Sequence, residues 1–163
     1  MNQSVVLSED IADQIHRVLS ELRARTQAEC VLLADISGQL VESLGSSEEI
    51  DPVLVAALAA GELAAIAELA RQIGERRASG SLLHEGKNRS IYIASVSDTF
   101  VLVVIFSTAS PVGLVRLFVR RAAELLHPLA SQFEEAIRRS NATLGTDFGT
   151  ALAGELDEAF GGM

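Results

Sequence analysis

Residues 51–74 read DPVLVAALAAGELAAIAELARQIG, and the reading of this stretch decides the fold. Asp51 is a helix-capping residue type and Pro52 suits the first helical position, where its missing N–H costs nothing. Alanine is the strongest helix former, so a helix is predicted from Asp51 to near Gly74, about 36 Å long if wholly helical. The segment is unusual in being apolar nearly all round. At about 100° per residue, Val55, Leu58, Ile66, Leu69 and Ile73 form one stripe, read here as the sheet-facing side. Ala57, Ala60, Ala64 and Ala67 lie opposite, with Gly61, Glu68 and Arg71 at the margins.

A surface helix ordinarily carries charge on its outer side, so an apolar face on both sides implies burial on both sides. The chain has 163 residues and no spare layer to cover the second face. Cover is expected from another molecule. A second copy laid antiparallel would bring two small-residue faces together and leave a shared platform for a further partner. The plainer alternative is that alanine serves only as a helix former on a solvated face.

Working outward, Ser8 is a candidate cap, and Ile11, Ile15, Val18, Leu19 and Leu22 recur at helical spacing, predicting a helix over Glu9 to Thr26. Cys30 to Asp35 reads as a strand, Ile36-Ser-Gly38 as a turn, and Gln39 to Leu44 as a second strand, together a hairpin. The Asp35 carboxylate is expected to fold back onto the N–H groups of the turn. Beyond the alanine-rich helix and a basic link at Arg76 and Arg77, Ser81–Glu85, Ser90–Val96 and Phe100–Phe106 read as a three-strand meander. Ser110 and Pro111 open a last helix, expected to put Leu114, Phe118, Ala122, Leu125, Leu129, Phe133 and Ile137 on one face and to end near Arg139. Pro128 inside it predicts a kink or a break. The remainder, 141–163, is expected to be a flexible tail with a short helix over 150–160 carrying Leu152, Leu156 and Phe160. Residues 1–8 are taken as an N-terminal extension and 9–140 as one domain. The fold class is α/β of the α+β type: helix, two strands, helix, three strands, helix, with a mainly antiparallel five-stranded sheet and helices on both faces.

Composition narrows the function. A net charge of −9 repels phosphate backbones, and with no Trp and one Tyr there are no stacking platforms for bases, so nucleic-acid binding is not expected. The one Cys, Cys30, reads as a small buried hydrophobe in a reducing compartment. The opening Met-Asn-Gln-Ser has neither a basic cluster nor an apolar core, and the unbroken apolar run Phe100 to Phe106 is short, so a cytoplasmic protein without membrane insertion is expected. In such a setting the sequons at Asn2, Asn88 and Asn141 are chance matches.

The chemistry-bearing motifs fail one by one. Gly80-Ser-Leu-Leu-His-Glu-Gly86-Lys87-Asn88 has five residues between its glycines and Asn88 where a phosphate loop needs four and a hydroxyl, and it leads into a strand. No GxGxxG opens a helix. His16, His84 and His127 have no paired ligand in their own elements, and His84 and Glu85 point to opposite faces of a strand. GxSxG and SxxK are missing, and Glu48 and Glu49 read as a solvated helix approach. No catalytic residue, metal ligand or cofactor is assigned. A small-ligand or catalytic α/β domain would require a deep pocket of convergent polar groups that this sequence does not suggest.

The strand at Cys30–Asp35, the turn to Gly38, the Ala60-Gly61-rich helix ending Ile73-Gly74, and the meander before Ser110-Pro111 together resemble the Roadblock family of dynein light-chain-related domains over Ser8 to Ser140. Ala60-Gly61-Glu62-Leu63-Ala64-Ala65, Leu69-Ala70-Arg71, Ser110-Pro111-Val112-Gly113 and a tail holding Leu144, Asp147 and Phe148 are most similar to its bacterial gliding-motility regulators. Pro128 and the terminal Gly161-Gly162 depart from that pattern. The resemblance implies a homodimer with sheets joined edge to edge and second helices side by side, presenting a surface to a Ras-like small GTPase. It implies a GTPase-activating protein that orders its partner's switch regions without an arginine finger, or alternatively a scaffold or polarity adaptor that leaves turnover unchanged. It places the platform on Ala57, Ala60, Gly61, Ala64, Ala67, Glu68 and Arg71, with Leu152, Leu156 and Phe160 as a second contact. Arg76, Arg77, Arg120 and Arg121 are read as solvated charges and not as a finger.

Overall fold

The computed structural model describes residues 8–76 and 80–161. Most of the expected N-terminal extension, residues 1–7, together with Arg77 and Gly162, lies outside the described residues. The element order is α1 (Glu9–Thr26), β1 (Cys30–Asp35), β2 (Leu40–Leu44), α2 (Pro52–Gln72), β3 (Ser81–Glu85), β4 (Arg89–Val96), β5 (Phe100–Ser107) and α3 (Val112–Phe160). The sheet runs β2-β1-β5-β4-β3, antiparallel at every pairing. The crossover helix α2 therefore returns the chain to the far side of the sheet, and the meander fills back so that β5 lies beside β1 (Cys30↔Ile105 through Asp35↔Phe100).

Strand alternation divides the core in two. On one face Val31, Leu33, Tyr92, Phe100, Leu102, Val104 and Phe106 meet α1 and α3. On the other, Cys30, Leu32, Ala34, Ile93, Val101, Val103 and Ile105 meet α2 alone. Full burial of each large aliphatic or Phe side chain is worth about 1.5–3 kcal/mol. The Phe100 and Phe133 rings pack tilted by 56° with centroids 4.9 Å apart, tying β5 to the middle of α3. The Asp35 turn forms as expected: its Oδ1 accepts from the Ser37 N–H at 2.9 Å and the Gln39 N–H at 3.0 Å. Gly38 has φ +92°, and a Cβ there would meet the Ala57 Cα at 2.9 Å, so the turn and α2 touch backbone to backbone.

Ser8 is the N-cap of α1 as expected, capping through its carbonyl, which accepts from Ile11 and Ala12, and not through its side chain. Two helical expectations are corrected. Pro111, not Ser110, is the N-cap of α3, and the helix starts at Val112. Above all, α3 neither stops near Arg139 nor breaks at Pro128, and the segment read as a flexible tail with a short helix over 150–160 continues it to Phe160. Pro128 faces solvent, while Leu126, Leu129, Ala130 and Phe133 around it are buried and hold both segments in line. The buried stripe is Val115, Val119, Ala122, Leu126, Leu129 and Phe133, so Leu114 and Leu125, read as core, are exposed. Beyond Phe133 the helix extends about 40 Å, to Phe160, with no buried residue.

Arg89 at the start of β4 supplies a link that no local pattern announces. Its Nε donates to Glu29 at 2.7 Å and Nη2 to the other Glu29 oxygen at 2.6 Å, while Nη1 donates to Glu49. Glu49, read as solvated, thus fastens the β2–α2 loop to the sheet. Hydrogen bonding by Arg89 holds the Glu29 carboxyl below its ordinary value near 4.5. A depressed carboxylate contributes stability that is fully present above the unfolded value and is lost as pH falls through the folded one. Arg89→Met is therefore expected to lower the thermal midpoint at pH 7, with the gap to wild type narrowing below about pH 4.5. A second expectation concerns α2: Ala56→Leu should cost about 1–3 kcal/mol in denaturant unfolding by overpacking the sheet side. In dilute solution Leu58→Ala should change protomer stability by less than about 0.5 kcal/mol.

Candidate functional site

Helix α2 begins where Asp51 accepts from the Val53 and Leu54 N–H groups at 3.0 and 3.2 Å. Its orientation is turned from the one read from periodicity: of the stripe read as sheet-facing, Val55 and Ile66 are half-buried while Leu58, Leu69 and Ile73 are exposed, and of the residues read as opposite, Ala60 is buried while Ala57 and Ala64 are exposed. The sheet side consists of small residues: Ala56, Ala59 and Ala60 are buried against Leu32, Val103 and Ile105, with Val55 and Leu63 packed at their edge. Several large residues point out: Leu58 is 62% exposed, Leu69 60% and Ile73 79%, joined by Val53 and Leu54. The cause is steric. Bulky side chains from the strands fill the space under the helix, and only alanines let its backbone approach closely enough to leave no void.

The proposed platform residues divide accordingly. Ala57, Gly61, Ala64, Glu68 and Arg71 are exposed; Ala60 is buried in the core and Ala67 half-buried, so neither presents a free surface. Gly61 is open, with nothing within 4 Å of a Cβ placed there. Glu68 pairs with Arg71 and accepts from the Gln72 amide at 2.8 Å. The resulting surface is an aliphatic ridge, Leu54, Leu58, Leu69 and Ile73, flanking a low centre at Gly61 and Ala65. Val53 and Leu54 escaped the sequence reading because an all-apolar helix gives no polar face to set its rotation.

By length and composition α2 could also cross a membrane, with a mean hydropathy of 2.0 over its best window, a feature that the search for unbroken apolar runs overlooked. Crossing would require stripping Ala56, Ala59 and Ala60 from the sheet. Leu152, Leu156 and Phe160 are exposed on α3, and with Leu144 and Phe148 they recur every fourth residue along its free half.

The remaining candidates carry structural roles. Gly86 to Asn88 forms the β3–β4 turn, closed by the Gly86 N–H on the Arg89 carbonyl at 3.0 Å. Cys30 is buried, and desolvation pushes its thiol up, away from reactive thiolate. His16 lies 3.7 Å from Glu42. Arg121 lies 3.9 Å from Glu21. Among the described residues, no three of His, Cys, Asp and Glu gather where a metal ion could be held. Among the described residues no set of reactive groups converges, and the most apolar exposed surface on α2 is the aliphatic ridge.

The Roadblock/LC7 domain family matches residues 14–106, α1 through β5. Among solved structures, MglB of Myxococcus xanthus is 37% identical with a TM-score of 0.68, over 73% of this chain and 96% of that one. The gliding protein MglB of Thermus thermophilus is 28% identical with a TM-score of 0.72, over 81% and 99%. An MglB solved with a tetrameric arrangement is 29% identical with a TM-score of 0.72, over 83% and 99%. A comparison with curated proteins finds no match. With its α-β-β-α-β-β-β-α order, its antiparallel sheet and this agreement over most of its length, the chain belongs to the Roadblock/LC7 domain family.

Proposed function

We propose that two copies of this chain pair through the outer faces of α2, and that the paired helices dock a Ras-like small GTPase of the MglA type in the cytoplasm. The regulator acts as an MglB-like GTPase-activating protein, ordering the partner's switch regions without contributing an arginine finger, in the service of cell polarity or gliding. The observation that carries this reading is the aliphatic ridge of α2 together with Val53, five large side chains left in water. Full burial of five such side chains would return on the order of 10 kcal/mol, against an association cost of about 4–15 kcal/mol. The ridge alone is therefore marginal, and a second contact is required. The edge strand β3, paired only with β4 and exposed at Ser81, His84 and Glu85, supplies unpaired backbone groups for joining two sheets edge to edge. The likeness to MglB structures, one of them tetrameric by its description, supports self-association and points to the GTPase as the further partner.

Activation of this kind needs no chemistry from the regulator, because charge stabilisation and the attacking water are handled within the GTPase once its loops are ordered. Phosphate release by a GTPase encoded beside this chain is expected to accelerate when the protein is added. Binding without acceleration would leave the adaptor role, and no binding would remove the GTPase reading. The double substitution Leu58→Asp and Leu69→Asp is expected to halve the mass in solution, keep the helical circular dichroism, and abolish the acceleration. Changing Arg76, Arg120 or Arg121 to Ala should lower the stimulated rate by less than about tenfold, where loss of a true finger costs about 10³-fold or more.

A further inference from the structure

Helices α1 and α3 run antiparallel: Val18 and Leu22 of α1 lie beside Phe118 and Leu125 of α3, and at the other end Ser8 and Ile11 lie beside Gln132, Ala136 and Arg139. At that second end they border an open cleft of about 440 Å³ that no described residue fills. The β4–β5 turn reaches α3 nearby, at Glu134, whose carboxylate accepts from the Thr99 hydroxyl. The apolar stripe of α3 continues past this point. At about 100° per residue, Ile137 and Leu144 fall within about 40° of the buried Phe133, yet Ile137 is only half-buried and Leu144 is 42% exposed. The chain enters α1 from this same end. Ser8 has extended backbone, φ −55° and ψ 139°, and is itself a wall of the cleft. Because the helices are antiparallel, the chain leading into Ser8 comes from the side of the free half of α3.

We infer that Val5, Val6 and Leu7, which lie outside the described residues, form a strap that closes this cleft and covers Ile137 and Leu144 of the same chain. The three are an apolar run behind the polar Asn2-Gln3-Ser4. The lengths agree: from Ser8 back to Val5 an extended chain spans about 10 Å at ~3.3 Å per residue, and from Ile137 to Leu144 the helix rises about 10 Å at 1.5 Å per residue. Leu7, just before the capping Ser8, holds the position from which an apolar side chain packs back onto the start of its own helix. Tethering decides the occupant. A segment joined directly to the wall of the cleft is present there at an effective concentration on the order of millimolar, which the same segment of a second copy in dilute solution does not reach. The strap fixes the root of the free half of α3 and so the direction in which that half projects. It depends neither on the α2 pairing nor on the GTPase reading.

Two measurements on the full-length protein test this. Val5→Asp with Leu7→Asp is expected to lower the thermal midpoint by about 5 °C or more and to speed amide hydrogen exchange over residues 136–144 by roughly tenfold or more, while Asn2→Asp with Gln3→Glu changes neither. Separately, Val5→Cys with Ser140→Cys should close a disulfide within one chain under mild oxidation, seen as a protomer mass under denaturing, non-reducing conditions. Val5→Cys with Arg120→Cys, whose second cysteine lies about 30 Å further along α3, should not close. Both measurements can be repeated in the Leu58→Asp and Leu69→Asp background, where the same results are expected, which separates this inference from the α2 pairing. A disulfide that joins two chains would give the cleft to a second copy's segment and overturn the inference. So would the absence of any Val5–Ser140 disulfide, or exchange over 136–144 that Val5→Asp with Leu7→Asp leaves unchanged.

Discussion

The close seating of three alanines on a sheet of bulky strands governs the rest of this molecule. Ala56, Ala59 and Ala60 lie against Leu32, Val103 and Ile105, and this contact fixes the rotation of α2. A helix can show only one side to the sheet, so choosing the small residues for that side commits the large ones to water. The fold is thus complete as a sheet with three helices and incomplete as a surface. An ordinary surface helix would carry charge where Leu58 and Leu69 stand, and the proposed pairing gives those side chains a partner.

Much of the architecture could be read from the chain. Helix α1 falls at the expected residues because Ile11, Ile15, Leu19 and Leu22 alternate with charge at a period that only a helix satisfies. Strands β1 and β3 match their expected limits because Asp35 and the Gly86 turn end them chemically. What escaped was phase and continuity. In α2 every rotation buries something apolar, and the choice is made by the volume of residues on strands far away in sequence. In α3, local chemistry at Pro128 argues for a break, but packing on both sides of it outweighs the cost of one lost hydrogen bond. The same error of phase put Leu114 and Leu125 in the core. The Glu29–Arg89–Glu49 linkage joins residues 60 and 40 positions apart, beyond the reach of any spacing rule.

The candidate site shows the same division. That α2 lacks a polar face was legible in the sequence, whereas which of its residues stay exposed was not: Ala60 is buried in the protein's own core and Ala67 is half-buried, and Val53 and Leu54 join Leu58 and Leu69 outside. Gly61 remains common to both readings. It lies one residue from the middle of α2 on the outward side with open space around it, so in an antiparallel pair it is the position where two backbones come nearest.

That placement gives the most direct measurement. Two Cα atoms must approach within about 7 Å for a disulfide to close, and the native thiol, Cys30, is buried in the sheet, so it does not compete. Gly61→Cys should cross-link to a covalent dimer under mild oxidation, while a cysteine at Ala24, on the opposite layer, should not. If Gly61→Cys stays monomeric under oxidation with its fold intact, α2 does not face a second α2, and the account of this surface is wrong.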